Sequence, residues 1–362
     1  MSRLPRLVAA ATATVALTLL VSGPTSANEA RAGSARPKAG GEPTVSDPRV
    51  VARFDFAAGQ TPESIALEPD GSADLSFSFT RQVVNVDKQG NRRVLATLPA
   101  VANPNTPIVG AAVAMGLARA DDGTLYVNYA TGTDATGIYR IDPEGGAPEL
   151  IAPLPADGFP NGLALDEECD ALYVADSVRG TVWRVPRDGG TPTAWATGAA
   201  LQPLAAPAGF GVGANGVQVH DGAVWVSNTD RKTLLRIPVR PDQSAGPIET
   251  RATGLDWIDD FTFTGPDGGH HHDGRLDDGR HDDRRHGDGR HGDMVLAALI
   301  ADHEVALVRP DGTHKIVLTA RDGLSNPTSV AVRDRKVYVP SASYFAPVKD
   351  PNLLLARLGR QG

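Results

Sequence analysis

A single cysteine, Cys169, stands in a chain of 362 residues, so no internal disulfide can cross-link the fold and packing has to stabilise it. Cys169 falls in an expected turn with no histidine near it in sequence, which reads as an inert thiol rather than a nucleophile. Basic residues are outnumbered, 35 Lys and Arg against 43 Asp and Glu, and the net charge of −8 argues against a nucleic-acid partner. Beyond residue 21 no apolar run is long enough to span a bilayer. The chain also lacks a nucleophilic-serine motif, a glycine-rich phosphate loop and a zinc-binding His-Glu-x-x-His pattern.

The first residues carry a different signal. Arg3 and Arg6 precede an apolar run, Leu7–Val21, and small residues Thr25-Ser26-Ala27 follow it. This reads as a secretory signal peptide over 1–27 and a secreted, extracellular protein with no membrane span once the signal is removed. Residues 28–48, rich in Ala, Gly and Pro, read as a flexible linker. The remainder, 49–359, reads as one domain.

That domain repeats one pattern six times: a short apolar strand, a tight polar turn, a second apolar strand. PESIALEPDGSADLSFS (62–78) matches MGLARADDGTLYVNYA (115–130), and related copies begin near 160, 214, 258 and 326. Apolar and polar residues alternate with the period of a strand. Asp-Gly pairs at 70–71, 122–123 and 221–222 supply the positive φ angles that tight hairpins need. A further hairpin after each copy makes four strands per unit. Equivalent strand starts fall at Glu63, Met115, Asn161, Asn215, Asp259 and Thr328, spaced by 52, 46, 54, 44 and 69 residues. The long last interval holds a 29-residue low-complexity stretch, 265–293. The fold class is therefore all-β, a six-bladed β-propeller of four-stranded antiparallel blades. A β-sandwich would not explain the repeat. The last unit shows only three strands, so a strand over Val50–Phe56 is expected to join it and close the ring.

In a propeller the first strand of each blade lines the central channel. Glu63, Met115, Asn161, Asn215, Asp259 and Thr328 then share one mouth, which gathers two carboxylates and two amides with no thiol or imidazole. Such oxygens suit a hard divalent cation, and two carboxylates balance its charge. Asn-Gly at a strand start is equally good turn chemistry, so a purely structural role stays open.

At these residues the chain resembles the gluconolactonase/regucalcin (senescence marker protein) family of six-bladed propellers. Glu63 in Pro62-Glu63-Ser64, Asn215 in Asn215-Gly216 and Asp259 in Ile258-Asp259-Asp260 match the family's metal ligands in order, and Asn161 in Pro160-Asn161-Gly162 matches a position near metal and substrate. The resemblance implies a divalent cation, calcium first with magnesium or zinc as the other candidates, held by Glu63, Asn215 and Asp259. It departs from the family where Asp260 replaces the usual glycine, so either aspartate can be the ligand, and where the third blade reads Pro-Asn-Gly.

The implied activity is metal-assisted hydrolysis of a small-molecule lactone or ester, with Asp259 or Asp260 accepting a proton and Asn161 orienting substrate. Asn128, Asp176, Asn228 and Ser341 end second strands on the same face. Asp176 is the extra carboxylate among them, placed as a substrate-binding residue or base. A monomer is expected. Two alternatives stay open: a non-catalytic secreted propeller that binds a ligand or partner protein, and metal handling through the histidine-rich stretch, which contains His270, His271, His272, His281, His286 and His291. That stretch is expected to be disordered and to leave the channel mouth uncovered.

Overall fold

The computed structural model describes residues 42–265 and 294–360. The signal peptide expected over 1–27, and all of the histidine-rich stretch except Gly265, lie outside the described residues, as does the expected distance between His281 and Glu63. Among the described residues no helix is long and apolar enough to cross a membrane.

Strand β1 spans Pro43–Arg53. The first blade is β2 (Pro62–Leu67), β3 (Ala73–Phe77), β4 (Gln82–Val86) and β5 (Arg92–Thr97). The second is β6 (Val113–Arg119), β7 (Leu125–Ala130), β8 (Gly137–Ile141) and β9 (Glu149–Pro153). The third is β10 (Pro160–Asp166), β11 (Ala171–Asp176), β12 (Thr181–Pro186) and β13 (Thr193–Thr197). The fourth is β14 (Ala214–His220), β15 (Ala223–Asn228), β16 (Thr233–Pro238) and β17 (Glu249–Thr253). The fifth is β18 (Ile258–Phe263), β19 (Val295–Leu299), β20 (Glu304–Val308) and β21 (His314–Leu318). The sixth holds β22 (Ala331–Arg333), β23 (Lys336–Ser341) and β24 (Asn352–Arg360), and β1 pairs with β24 to complete it. Six four-stranded antiparallel sheets therefore form the all-β propeller, closed by an N-terminal strand as the repeat requires.

Consecutive first strands touch around the axis, β2 against β6, β6 against β10, and on to β22 against β2. The core lies between blades rather than within one. Leu125, Val127 and Tyr129 of the second blade pack with Val83 and Leu95 of the first. Tyr173 and Val182 of the third pack with Val217 and Val226 of the fourth. Second strands are sandwiched on both faces, which is why β7 and β11 are buried at every residue while fourth strands such as β13 are largely exposed. Each fully buried Leu or Val contributes roughly 1.5–3 kcal/mol of transfer free energy. At the hairpin between β14 and β15, Asp221 (φ 46°) and Gly222 (φ 63°) both adopt the left-handed conformation that a type I′ turn demands.

The closing strand runs from Pro43 to Arg53 where Val50–Phe56 was expected, so residues 43–48 belong to a blade and not to a linker. Thr44 pairs with Gly359 and Val45 with Leu358. Val45 packs against the core between blades five and six, and Glu42 bonds Arg309 at 2.6 Å and Lys315 at 2.5 Å. The last blade's first strand, expected to start at Thr328, begins only at Ala331. The Thr328 carbonyl instead accepts the Asp260 amide of the neighbouring blade at 3.2 Å, and Pro327 makes only an isolated bridge to Ser341.

Candidate functional site

Five of the inner strands lose register at the same place: between Pro62 and Ser64, Ala114 and Leu117, Pro160 and Leu163, Ala214 and Val217, and Ile258 and Phe261. Glu63, Met115, Asn161, Asn215 and Asp259 sit in these interruptions. A bulge drops a residue out of the ladder and re-aims its side chain, here toward the axis. The peptide groups it frees are taken up by polar side chains on the preceding blade. Ser76 Oγ donates to the Met115 carbonyl at 2.6 Å, Asn128 Nδ2 to the carbonyls of Asn161 and Gly162 at 2.9 and 3.0 Å, and Ser227 Oγ to the Asp259 carbonyl at 2.5 Å. Glycine follows three of the bulged residues because the neighbouring strand leaves no room. A Cβ on Gly116 would stand 2.4 Å from the Asn161 carbonyl oxygen, and one on Gly162 2.3 Å from that of Asn215.

Glu63, Asn161, Asn215, Asp259, Asp260 and Thr328 line one cavity of about 10 Å³. That is about the room one water or ion needs. Met115, the remaining strand-start residue, packs instead with Val113, Ala130 and Phe159 in a small apolar cluster. Asn215 spends both amide hydrogens, donating to Thr229 Oγ1 and to Asp259 Oδ1 at 2.8 Å each. Its carbonyl oxygen is therefore the atom presented to a ligand. Asn161 Nδ2 donates to Ser177 Oγ at 3.2 Å, which fixes that amide in the same sense. Tyr344 donates to Glu63 Oε2 at 2.5 Å, and Ser78 Oγ lies 2.5 Å from the same phenol. Asp260 is differently placed. Its Oδ1 accepts the Phe261 amide and its Oδ2 accepts Ser329 Oγ, both at 2.8 Å.

Electrostatics follow from gathering three acids away from water. Burial pushes Glu63 up to about 7, against the lowering effect of its bonds to Tyr344 and Ser78. Burial, then the nearby Glu63 and Asp260 carboxylates, hold Asp259 well above the usual range. Asp260 is raised to about 6, again by burial, with the Phe261 amide and Ser329 pulling the other way. Tyr344 is pushed well above its ordinary value by burial and by Glu63.

Asp176 does not join this group. It is fully buried to one side, where its carboxylate accepts the amides of Phe159 at 2.9 Å and Arg179 at 3.1 Å and the Trp183 indole at 3.2 Å. It staples a turn of the third blade instead of facing substrate. Asn228 likewise donates to the carbonyls of Ala200 and Gln202, and Ser341 Oγ accepts the Ser325 amide. The hydroxyls that reach the site belong one position further on, immediately after a second strand: Ser78, Ser177 and Thr229. The sequence carries that signal, a Ser or Thr after the second strand of each of the first four blades, Thr131 included. Tyr344 had no such signal, because it lies inside the long loop between β23 and β24. Cys169 sits in the expected turn, half-buried, with its thiol raised by burial.

No protein-family model and no curated protein matches the chain. Solved structures do. A gluconolactonase from Xanthomonas campestris superposes with a TM-score of 0.56 at 16% identity, covering 89% of this chain and 99% of that one. The fold is that of gluconolactonase- and regucalcin-like propellers. The calcium-binding protein regucalcin from Agrobacterium tumefaciens gives 0.56 at 15% identity over 87% of this chain and 96% of its own. The PQQ-bound aldose sugar dehydrogenase from Streptomyces coelicolor gives 0.58 at 15% identity over 88% and 99%. At such identities the likeness establishes the fold, and a gluconolactonase-like fold does not fix the chemistry at its mouth.

Among the described residues no three Asp, Glu, His or Cys side chains converge with metal-holding geometry. Asp260 turns its two oxygens to Phe261 and Ser329. The donor set that remains is Glu63, Asp259 and the amide oxygens of Asn215 and Asn161 around a cavity of ionic size. All are hard oxygen donors, and a cation among them would offset the burial and neighbouring negative charge that raise both acids, so the residues fit a divalent cation of the calcium or magnesium kind.

Proposed function

We propose that the protein is a metal-dependent hydrolase of small-molecule lactones or esters, exported from the cell and working at the channel mouth. The observation that carries this reading is the convergence of Glu63, Asn161, Asn215 and Asp259, from four different blades, on one ion-sized cavity. Glu63, Asp259 and the Asn215 carbonyl would hold the cation, calcium in the first instance. When bound, that ion supplies the positive charge that polarises a substrate carbonyl and offsets the oxyanion.

The remaining work falls to the chain. Asn161, clamped by Ser177, is positioned to orient the substrate oxygen. Tyr344 and Ser78 favour the charged form of Glu63. Asp260, raised to about 6, is ionised at neutral pH yet basic enough to take a proton from an attacking water. Asp259, tied to Asn215, suits a ligand role better than a base. The choice between the two aspartates thus rests on their partners.

The test is calcium-dependent hydrolysis of glucono-1,5-lactone and of dihydrocoumarin by the parent and by Glu63→Gln and Asp259→Asn. Activity in the parent, abolished by chelator and reduced at least a hundredfold in both variants, is the expected result. Activity unaffected by both substitutions would overturn the proposal, and no activity in the parent would favour a propeller that only binds.

A further inference from the structure

The rim above the acids is built from aromatic rings. Tyr344, whose hydroxyl reaches Glu63, packs edge-on against Phe79 at 6.1 Å between centroids and against Phe345 at 6.1 Å. Phe345 meets Trp257 at 5.7 Å, and Trp257 meets Phe210 at 4.0 Å. The belt runs from the first blade through the sixth and fifth to the loop before the fourth. Its members are not core residues: Phe79 is 40% exposed, Phe345 62% and Phe210 66%. Trp257, two positions before Asp259, is held at a φ of 51°. A bulky residue adopts that conformation only where its surroundings impose it.

Several polar groups along the belt are already engaged. Lys349 Nζ donates to the carbonyls of Ser343 and Tyr344 at 3.0 and 2.7 Å. Asp230 accepts the amides of Leu204, Phe210, Gly211 and Val212, and Arg231 Nε donates to the Gln202 carbonyl. A polyhydroxylated ring needs donors and acceptors free to read its hydroxyls, whereas a flat aromatic group needs ring faces and edges.

We infer that the aromatic belt selects substrates whose lactone or ester carries a flat aromatic group, packed against the exposed faces and edges of Phe210, Trp257 and Phe345 while the carbonyl reaches the acids below. This rests on the hydrolase reading for the reaction but not for the binding. The experiment therefore has two arms, run on the full chain with calcium: kcat/KM for dihydrocoumarin and glucono-1,5-lactone, and calorimetric binding of coumarin. Phe210→Ala and Phe345→Ala serve as variants, because both side chains are exposed and their melting temperatures can be checked.

Dihydrocoumarin should be the better substrate. Each variant should lower the aryl-to-sugar ratio, and weaken coumarin binding, by about threefold to tenfold. Loss of coumarin binding in the variants, with neither lactone hydrolysed by the parent, would uphold the belt and remove the hydrolase reading. Preference for glucono-1,5-lactone, or coumarin binding that is absent or insensitive to both substitutions, would overturn the inference.

Discussion

Tyr344 donates its phenolic hydrogen to Glu63 across the closure of the ring, at 2.5 Å and over a separation of 281 residues. The bond joins the last blade to the first and opposes the burial that nonetheless raises this acid to about 7. Tyr344→Phe keeps the ring contacts with Phe79 and Phe345 and removes only the donor. It is expected to cost about 1–3 kcal/mol of stability and to weaken calcium binding, since Glu63 then holds its proton more tightly. Thermal melts in chelator and a calcium titration check both; an unchanged melt and midpoint would mean the bond is idle.

Calcium should stabilise the folded chain by mass action, by about 2.7 kcal/mol at a hundred times its dissociation constant. Glu63→Gln and Asp259→Asn should each abolish that increment while leaving the metal-free fold intact or steadier, because each removes one of two buried acids that repel. Differential scanning calorimetry with and without calcium reads the difference. A shift that survives in both variants would place the ion elsewhere.

A second acidic pair adds to the pH response of the acids at the mouth. Asp74 is fully buried, with its Oδ1 accepting Asn85 at 2.8 Å and its Oδ2 without a hydrogen-bond partner. Burial, and then the neighbouring Glu68, raise its pKa to about 8. The folded state therefore holds a proton that the unfolded chain releases near 3.8. Stability should fall as pH rises from about 4 to about 8, on the order of 1 kcal/mol per unit. Asp74→Asn imitates the protonated acid and should flatten that fall. Melting temperatures at pH 5 and pH 8 test it: a slope equal to the parent's would acquit Asp74.

The glycine collar makes a steric forecast. A methyl group on Gly162 would lie 2.3 Å from the Asn215 carbonyl, so two inner strands would have to part. Gly162→Ala should destabilise by roughly 1–3 kcal/mol and spoil the site, whereas Gly146→Ala, where a Cβ meets nothing within 4 Å, should carry only the backbone strain of its φ of 135° and leave the site intact. Chemical denaturation of both variants gives the comparison.

Removing residues 43–53 should leave no stable monomer, because β24 would become an exposed edge and Val45, Ala52 and the Glu42 ion pairs would lose their places. Circular dichroism and light scattering would show this; a folded, monomeric truncation would contradict the closure.

The architecture was legible because it is written six times: the paired apolar strands recur, and Asp-Gly turns mark three of the copies. The ring of Glu63, Asn161, Asn215 and Asp259 was legible for the same reason, since equivalent positions must meet at an axis. The start of β1 was not. Its register slips between Ser46 and Arg49, with Asp47 at a φ of 53°, and a bulge erases the alternation that marks a strand. Asp176 looked like a mouth residue because it ends a second strand, yet the last residue of such a strand points sideways into a turn while the next one faces the axis. Tyr344 has no counterpart in the other blades, so no repeat could announce it.

Pro43 lies opposite Arg360 in the closing blade, so the two ends of the propeller are neighbours in one sheet. The covalent break is thus a matter of chain order and not of shape. A rearranged gene that fuses these ends through a short linker and opens the chain in an exposed loop, such as the one after β5, would keep every blade and merely move the seam. Where the seam lies then becomes a free variable for engineering, and the mouth, formed by all six blades, would be indifferent to it.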